Sequence, residues 1–288
     1  MPAVAPATGP FTQRPFLETA HRFAADGLSD IDVTTIDAGA VALATNHDSF
    51  RFAGISDLTD YHSPLGVGAE AALLQAFAGT KGMTFSLDSM PAEARDVVTT
   101  ALTAVGAEFS IDQHEVAAVL NLPSTFDEWL VSIGKKERHE VRRKRRRFVA
   151  EFGEIEVIEG GLESFATFAD LHRSSAGNKG SFMTNEMERF FQELLASAGA
   201  TIHSLVCHGR TLAAAFGFEH EDGYYFYNSA YDPSAAMASP GVVLFATMIE
   251  HQISRGATIF DFLKGDEQYK FRHGAIARPL FVVSGEIP

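Results

Sequence analysis

Residues 201–231 read TIHSLVCHGRTLAAAFGFEHEDGYYFYNSAY, and this stretch decides the fold class. It contains three apolar runs, TIHSLVCHG, TLAAAFGFE and GYYFYNSAY, which are rich in β-branched and aromatic residues. Short turns that contain Gly209 and Gly223 join the runs. Runs of this composition, separated by short glycine turns, favour consecutive hairpins. The stretch therefore predicts an antiparallel meander of three strands.

The elements on either side of the meander alternate between helix and strand. Before it, EIEVIE predicts a strand, and the spacing of apolar residues predicts helices over 162–176 and 184–198. After it, the loop DPSAAMASP leads to a helix predicted from Pro240 to Arg255, the strand ATIFDFL, a short helix over 266–272 and the strand PLFVVS. The second half thus runs strand, helix, helix, three strands, helix, strand, helix, strand.

The first half mixes helices and strands less regularly. Helices are predicted over 15–27, over 68–79, from Pro91 to about Val105, and within LPSTFDEWLVSI. The predicted strands are IDVTTI, VALATN, FRFAGI, MTFSL, AEFSI and EVAAVLNL.

The helix within LPSTFDEWLVSI carries its own start signals. Ser124 or Thr125 can cap it, and Asp127 and Glu128 suit its first turn. Past Gly134 the chain continues as a second helix, whose apolar stripe runs through Val141, Phe148 and Phe152.

Composition excludes several classes of protein. The chain is 46% hydrophobic with 24 Phe, which excludes disorder, and its single cysteine, Cys207, excludes an internal disulfide and a multi-cysteine metal site. The start, MPAVAPATGPF, is no secretory leader, and no apolar run approaches the roughly 20 residues that a membrane crossing needs. The eleven His are scattered along the chain, so no metal site is expected. A soluble cytoplasmic protein is the expectation.

The segment KKERHEVRRKRRRF, residues 135–148, concentrates positive charge in an acidic chain. Its net charge is +7, whereas the whole chain carries -14, so the remainder carries -21. On a helix Arg138, Arg142 and Arg145 share one face, with Lys135 one turn earlier. Three interpretations stay open: a solvated helix held by salt bridges, a site for an anionic acceptor, and a nucleic-acid or membrane surface. The acidic remainder disfavours the third.

The order of elements and five motifs together resemble the GNAT acyltransferases. The motifs are LPSTFDEWL, KKERHEVRRKRRRF, LHRSSAGNKGSFM, SPGVVL and DFLKGDEQYK, and they resemble the two-domain branch that includes Fem-type peptidyltransferases and cellulose-biosynthesis-type acetyltransferases. The resemblance implies an α+β fold with a mixed sheet and tandem GNAT-like (acyl-CoA N-acyltransferase) domains. It assigns 1–122 to a truncated, degenerate first domain, 123–152 to a basic linking helix, and 153–288 to the domain with the acyl-CoA site.

The same resemblance implies where the coenzyme binds. The loop MASPGVVL would hold the diphosphate of acyl-CoA, most simply acetyl-CoA, at the start of a helix, where free N–H groups and the helix dipole favour anions. The strand YYFYNSAY would separate from ATIFDFL to admit the pantetheine arm. The loop is poorer in glycine than usual, and an ordinary helix cap is the alternative. The residues implied for the coenzyme are Tyr231, Ala238, Ser239, Pro240, Gly241, Val242, Lys264 and Lys270.

Catalytic and acceptor residues are implied less specifically. Tyr269 matches the tyrosine that protonates the departing thiolate in many GNAT enzymes, and a half-buried anchor for its helix is the alternative. His172 and Glu267, with Asp57 and Asp60, are candidates for the base. The residues implied for an anionic acceptor are Asp60, Tyr61, Lys135, Arg138, Arg142, Arg145, Arg173, Lys179, Phe182 and Asn228.

The expected function is transfer of an acyl group from acyl-CoA to an amine of an anionic small molecule or nucleotide-linked precursor. One alternative is a Fem-type enzyme that takes an aminoacyl group from tRNA, which the basic helix favours. Another is a non-catalytic GNAT-like adaptor or ligand-binding protein, which the glycine-poor loop and the lack of a clear base favour. The acceptor, the acyl length and the oligomeric state stay open.

Overall fold

The computed structural model of the protein describes residues 7–23, 31–55, 57–175, 177–221 and 223–288. The side chains of Asn178 and Lys179 lie outside this description. The helices are α1 (Arg14–Arg22), α2 (Ala69–Ala78), α3 (Ala92–Ala104), α4 (Phe126–Ser132), α5 (Lys135–Phe152), α6 (Leu162–Arg173), α7 (Asn178–Phe182), α8 (Asn185–Ser197), α9 (Pro240–Ser254) and α10 (Gln268–Arg272). The strands are β1 (Ile31–Ile36), β2 (Gly39–Thr45), β3 (Ser49–Phe52), β4 (Thr84–Pro91), β5 (Glu108–Asn121), β6 (Glu156–Gly160), β7 (Ala200–Cys207), β8 (Arg210–His220), β9 (Gly223–Tyr231), β10 (Ile259–Lys264) and β11 (Ile276–Glu286).

The chain forms two compact units. The first consists of Met1–Ala117 and Arg278–Pro288, and the second consists of Ala118–Ala277. This division differs from the three parts predicted from the sequence. The basic helix α5 lies within the second unit instead of linking two domains, and the last eleven residues belong to the first unit because β11 pairs with β4.

In the first unit, three antiparallel strands β1, β2 and β3 are followed by β4, which runs parallel to β3, and by β11, which is antiparallel to β4. Alternate residues of the strands face α2 and α3, which cover one side of the sheet. The core between them contains Phe50, Phe77, Leu87, Val98 and Leu102, all at most 2% exposed. Burial of these large apolar side chains is the main stabilising term of the unit.

In the second unit, β6, β7, β8 and β9 form an antiparallel sheet, and β10 joins it parallel to β9. The end of β5 adds a further strand next to β10. The meander predicted from residues 201–231 is therefore present as β7, β8 and β9. Helix α9 is apolar from Pro240 to Ile249 apart from Thr247, and this part lies in the core beside the sheet.

The two units repeat one order of elements. In each unit a three-stranded meander is followed by a helix and by a strand parallel to the third strand of the meander: β1–β2–β3, α2 and β4 in the first, and β7–β8–β9, α9 and β10 in the second. Among the described residues, one helix, α1, precedes the meander of the first unit, whereas β6, α6, α7 and α8 precede that of the second unit. This agrees with the prediction that the first domain is a truncated copy of the second.

Helices α4 and α5 form as the sequence predicts. Thr125 caps α4: its hydroxyl accepts the Glu128 N–H at 3.2 Å, and the Glu128 carboxylate accepts the Thr125 N–H at 3.1 Å. Reciprocal bonds of this kind satisfy two donors that a helix start otherwise leaves open. The apolar stripe of α5 is buried at Val141 and Phe148. Trp129 of α4 is also buried, and its indole N–H donates to the carbonyl of His273 at 3.0 Å.

Some predicted boundaries are wrong. AEFSI and EVAAVLNL are one continuous strand, β5, because the polar residues 112–114 between them stay extended and exposed and do not form a turn. The helix predicted over 162–176 ends at Arg173. The helix predicted over 15–27 ends at Arg22, although part of that range lies outside the described residues. Among the residues that the structure describes, none of the helices has the length and apolar content that crossing a membrane requires.

Candidate functional site

The site begins where β9 and β10 separate. These parallel strands pair through only two residue pairs, Phe260 with Tyr224 and Asp261 with Tyr225. Beyond them β9 continues to Tyr231 with β8 as its partner, and the far part of β10 has no pairing to β9. A parallel ladder that stops early leaves backbone donors and acceptors of both strands available to a third group. This is the separation that the family resemblance implies.

Two local features account for the early end of the ladder. In β9, Phe226 pairs with Gly217 and Asn228 pairs with Phe216, so Tyr227 is an extra residue and forms a β-bulge. In β10, Leu263 has a φ of 62°, a left-handed conformation that is rare for leucine. Its N–H donates at 2.7 Å to the carboxylate of Asp261, which is 1% exposed. The buried carboxylate thus takes an N–H that a regular strand would give to its neighbour.

Helix α9 begins just after β9 and supplies one unbonded amide. Ser239 has a left-handed conformation, with φ 60° and ψ 53°, and its carbonyl accepts the N–H groups of Val242 at 3.1 Å and Val243 at 3.2 Å. Pro240 has no N–H. Among the described residues, the Gly241 N–H has no acceptor, and it lies at the positive end of the helix dipole. A Cβ added to Gly241 would lie 3.9 Å from the ring of Tyr231, so that ring packs beside the turn.

The loop that precedes α9 is held from the meander side. Asp232 caps a short 3-10 turn by accepting the Ser234 N–H at 2.8 Å, and Arg210 of β8 donates to the Asp232 carboxylate and, at 2.7 Å, to the Ser234 hydroxyl. Burial alone would raise the pKa of Asp232, but these bonds from Ser234 and Arg210 outweigh it and lower the pKa. Ala238 is fully buried, so neither its side chain nor its backbone offers surface to a ligand.

Three residues implied for acceptor or base chemistry come together beside β9. His172 of α6 is 1% exposed, and its Nε2 lies 3.2 Å from Oδ1 of Asn228. Because that oxygen also accepts the Ser229 N–H at 2.7 Å, Nε2 of His172 is the donor in the pair. The Phe182 ring lies 5.6 Å from the His172 ring and is 39% exposed. Arg173 pairs with Glu188 at 2.6 Å.

Helix α10 places Tyr269 against α9 and β10. The Tyr269 ring lies 6.1 Å from Phe245 of α9 and 6.3 Å from Phe262 of β10, and 42% of the residue is exposed. Burial of the phenol, helped by the charge of Glu267, raises the pKa of Tyr269 to about 12. The phenol is therefore protonated at neutral pH and able to donate a proton.

The side chain of Lys270 is buried and bonded to other groups of the protein. It is 3% exposed, and its ammonium donates at 2.7 Å to the carbonyl of Lys264 and at 3.3 Å to that of Leu263. Glu267 lies 2.9 Å from the same ammonium. These contacts close the turn between β10 and α10, and they account for Lys270 without a phosphate. Lys264 is half-buried at the end of β10.

Comparison with known proteins agrees with this geometry. Residues 135–271 match the family model described as "Acetyltransferase (GNAT) domain". This part of the chain is therefore similar to GNAT domains. A search of curated protein sequences found no match.

Solved structures agree at the level of the fold. FemX has a TM-score of 0.67 at 14% identity, over 94% of this chain and 91% of that one. A conserved protein of unknown function from Bacteroides thetaiotaomicron has a TM-score of 0.63 at 15% identity, over 96% and 92%. L-PGS from Bacillus licheniformis has a TM-score of 0.61 at 13% identity, over 89% and 84%. The α+β fold with tandem GNAT-like units, and the resemblance to GNAT-like acyltransferases, are confirmed.

Within the second unit, five arginines of the basic helix α5 have partners from the same unit. Arg145 pairs with Glu250 of α9 at 2.5 Å, and Arg142 lies 3.6 Å from Asp127. Arg138 donates to carbonyls of Leu130 and Val131 at 3.3 and 3.4 Å, which closes the end of α4. Elsewhere on α5, Arg143 pairs with Glu140 and Arg147 pairs with Glu151. Lys135 is exposed. These contacts favour the salt-bridged interpretation over a bare cationic surface.

A shallow groove beside α5 keeps some positive charge. It is lined by Thr125, Phe126, Asp127, Leu130, Arg142, Arg145, Arg146 and Glu250. Three guanidinium groups face two carboxylates there, and the Arg145 guanidinium lies 4.9 Å above the Phe126 ring. The groove can therefore accept a small anion, although Arg142 and Arg145 already have partners.

The remaining predicted residues do not join the site in the second unit. Asp60 and Tyr61 belong to the first unit, where Tyr61 is fully buried against Phe11 and beneath the guanidinium of Arg278. Such burial leaves no surface of Tyr61 for an acceptor. The side chain of Lys179 lies outside the described residues.

The sequence analysis missed three parts of the site: the bulge at Tyr227, the Asp261–Leu263 turn and the Arg210–Asp232 pair. The last had a local signal, because Asp followed by Pro is typical of a capped turn. The bulge had none, since it depends on the register between two strands.

Proposed function

We propose that the GNAT domain transfers an acyl group, most simply acetyl, from acyl-coenzyme A to an amine of an anionic small molecule. The observation that carries this proposal is the separation of β9 and β10 after two residue pairs, with the start of α9 at the end of the open strand. Tyr231, the last residue of β9, touches the Gly241 turn, so the open strand edge and the helix start are neighbours.

In this proposal the coenzyme lies along β9. Its diphosphate bonds the Gly241 amide at the positive end of α9, with Ser239 and Val242 beside it. The pantetheine arm takes the backbone groups of β9 beyond Tyr225, and an N–H near the Tyr227 bulge polarises the thioester carbonyl. Lys264 stays a candidate for a phosphate, whereas Lys270 is left out because its ammonium is already bonded.

The reaction needs a neutral amine, although the pKa of a free alkyl amine is roughly 10. The amine attacks the thioester carbonyl carbon, a C–N bond forms, and the C–S bond breaks. Tyr269, which its raised pKa keeps protonated at neutral pH, gives its proton to the departing thiolate. The amine loses its proton to water in the cleft. His172 is left out as the base, because it is 1% exposed, its Nε2 donates to Asn228 and its Nδ1 is buried. Positioning of the two reactants supplies most of the rate.

The acceptor is proposed to enter beside Phe182 and α6. Its negative charge would be met by Arg173 or by the groove of α5, where three arginines exceed two carboxylates. Four arginines of α5, Arg142, Arg143, Arg145 and Arg147, pair with carboxylates, which leaves fewer unpaired cations for a polyanion such as tRNA. The cytoplasmic location expected from the sequence stays a prediction.

Calorimetric titration of the protein with acetyl-CoA, pantetheine and an aminoacyl-tRNA tests this function. We expect acetyl-CoA to bind, and pantetheine, which lacks the diphosphate, to bind at least about ten-fold more weakly. Release of free thiol should then depend on an added anionic amine. A response to the aminoacyl-tRNA alone would favour the Fem-type alternative, and silence to all three would favour an adaptor; either result would contradict acyl-CoA as the donor.

A further inference from the structure

The edge of the second unit's sheet holds a cluster of two histidines and two glutamates. Glu159 comes from β6, His203 from β7, Glu219 from β8 and His251 from α9. One ligand atom from each residue lies within 4.8 Å of those of the other three. The scattered histidines of the sequence predict no metal site, yet folding brings two of them together across 48 residues.

Strand register and one glycine build this cluster. Glu159 lies directly opposite His203 in the antiparallel pair of β6 and β7, so both side chains point to the same face. On β8, Gly217 leaves room for the buried ring of Tyr224, since a Cβ there would lie 2.4 Å from the Tyr224 hydroxyl oxygen. That ring packs edge-on against His203 at 5.6 Å and closes the cluster from the core side.

His203 is buried in a state that suits a metal ligand. It is 0% exposed, and neither of its ring nitrogens has a hydrogen-bond partner. Nε2 lies 3.5 Å from a Glu219 oxygen and 3.9 Å from a Glu159 oxygen. These distances are too long for the hydrogen bonds of a charged pair.

The same distances suit four ligands around one ion. Ligand atoms bound tetrahedrally at about 2.1 Å lie roughly 3.4 Å from one another. The second histidine also offers a nitrogen, because Nε2 of His251 is buried without a hydrogen-bond partner and its ring centre lies 5.4 Å from that of His203. Two imidazoles and two carboxylates are a ligand set that zinc and neighbouring transition metals accept.

Polar groups around the cluster orient its carboxylates. Arg255 donates to one oxygen of Glu219 at 2.6 Å and to Glu159 at 3.4 Å, and Gln252 donates to the other oxygen of Glu219 at 3.1 Å. Outer hydrogen bonds of this kind fix the carboxylates of many metal sites. The positive charge of Arg255 repels a bound cation and balances one of the two carboxylates. Gln252 donates to the Glu219 oxygen that would also bind the ion. Both effects lower the metal affinity below that of a site without these neighbours.

We propose that Glu159, His203, Glu219 and His251 bind one divalent transition-metal ion, Zn²⁺ by the character of the ligands. The ion would fasten the last turn of α9 to the outer strands of the sheet. Its role is structural, and it does not depend on the proposed transferase activity.

Titration of the metal-free protein with Co²⁺, followed by Zn²⁺, tests the proposal. We expect one equivalent of Co²⁺ to give the intense visible absorption of a tetrahedral site, and Zn²⁺ to abolish it by displacement. Saturating Zn²⁺ should raise the melting temperature by several degrees, and a chelator should reverse the rise.

Single substitutions of the partly exposed ligands keep the test clear of misfolding. Glu159→Gln and His251→Gln preserve shape and should each weaken Zn²⁺ binding at least ten-fold, with the metal-free melting temperature close to that of the parent. His139→Gln, which removes an exposed histidine of α5, is the control and should leave the affinity unchanged. Absence of the tetrahedral spectrum, or equal Zn²⁺ affinity in the parent and both ligand variants, would overturn the assignment.

Discussion

Gly241→Asp places a carboxylate at the first turn of α9, where the proposed diphosphate binds. The new Cβ would lie 3.9 Å from the Tyr231 ring, which is an ordinary contact, so the side chain enters without displacing a neighbour. An acidic residue at a helix start stabilises the helix by about 0.3–1 kcal/mol. Removal of a helical glycine adds a further favourable term. The variant should therefore fold at least as well as the parent.

Coenzyme binding should nevertheless fall steeply. Two unit charges about 4 Å apart repel each other by about 1 kcal/mol in water and about 4 kcal/mol at the effective dielectric near a protein surface. Gly241 is half-buried, so we expect a loss of about 2–3 kcal/mol, a factor of roughly 30–150 in Kd.

Gly241→Asn is the matched control, because it has the same shape without the charge. Calorimetric titration with acetyl-CoA at low salt should show the Asp variant binding much more weakly than the Asn variant, and added salt should narrow the difference. If the two variants bind acetyl-CoA equally, the diphosphate does not lie at this helix start and the reasoning is wrong.

Three further predictions concern catalysis, pH and stability. Tyr269→Phe should lower kcat, measured by thiol release, by a factor of about 10²–10⁴, with little change in the Kd of acetyl-CoA. Because the pKa of Tyr269 is about 12, ionisation of this phenol should not reduce activity between pH 7 and 10. Because folding lowers the pKa of Asp232, the stabilisation from its pairing with Arg210 is present above the ordinary carboxyl pKa and is lost as the pH falls through the lowered pKa. Asp232→Asn should therefore have a lower melting temperature than the parent near pH 7. An equal difference in melting temperature at neutral and acid pH would contradict this. Thr125→Ala should cost about 1 kcal/mol and lower the melting temperature by about 2–4 °C, whereas Ser124→Ala should have little effect.

Local signals predicted the elements of the fold well. The capping residues before α4, the glycine turns of the meander and the Ser-Pro-Gly start of α9 each act within a few residues. Their effect can therefore be read without knowledge of the fold. The single long strand β5 was missed because a polar stretch in the middle of an exposed strand resembles a turn in composition.

Features that depend on distant pairing could not be predicted. The register of β8 and β9 creates the bulge at Tyr227, and pairing between β4 and β11 transfers the end of the chain to the first unit. Lys270 shows the same limit for a site residue. Its sequence context suggests a phosphate ligand, but the turn after β10 brings carbonyl oxygens to its ammonium.

The pairing of β4 with β11 also bears on the order in which the protein matures. The first unit cannot finish its sheet until Arg278 and the residues after it have left the ribosome. Translation from residue 117 to residue 278 takes on the order of 10–30 s at typical elongation rates. During that interval the edge of β4 that later pairs with β11 is open, and another chain can pair with it. A nascent polypeptide that pauses within the second unit would therefore be a suitable client for chaperones.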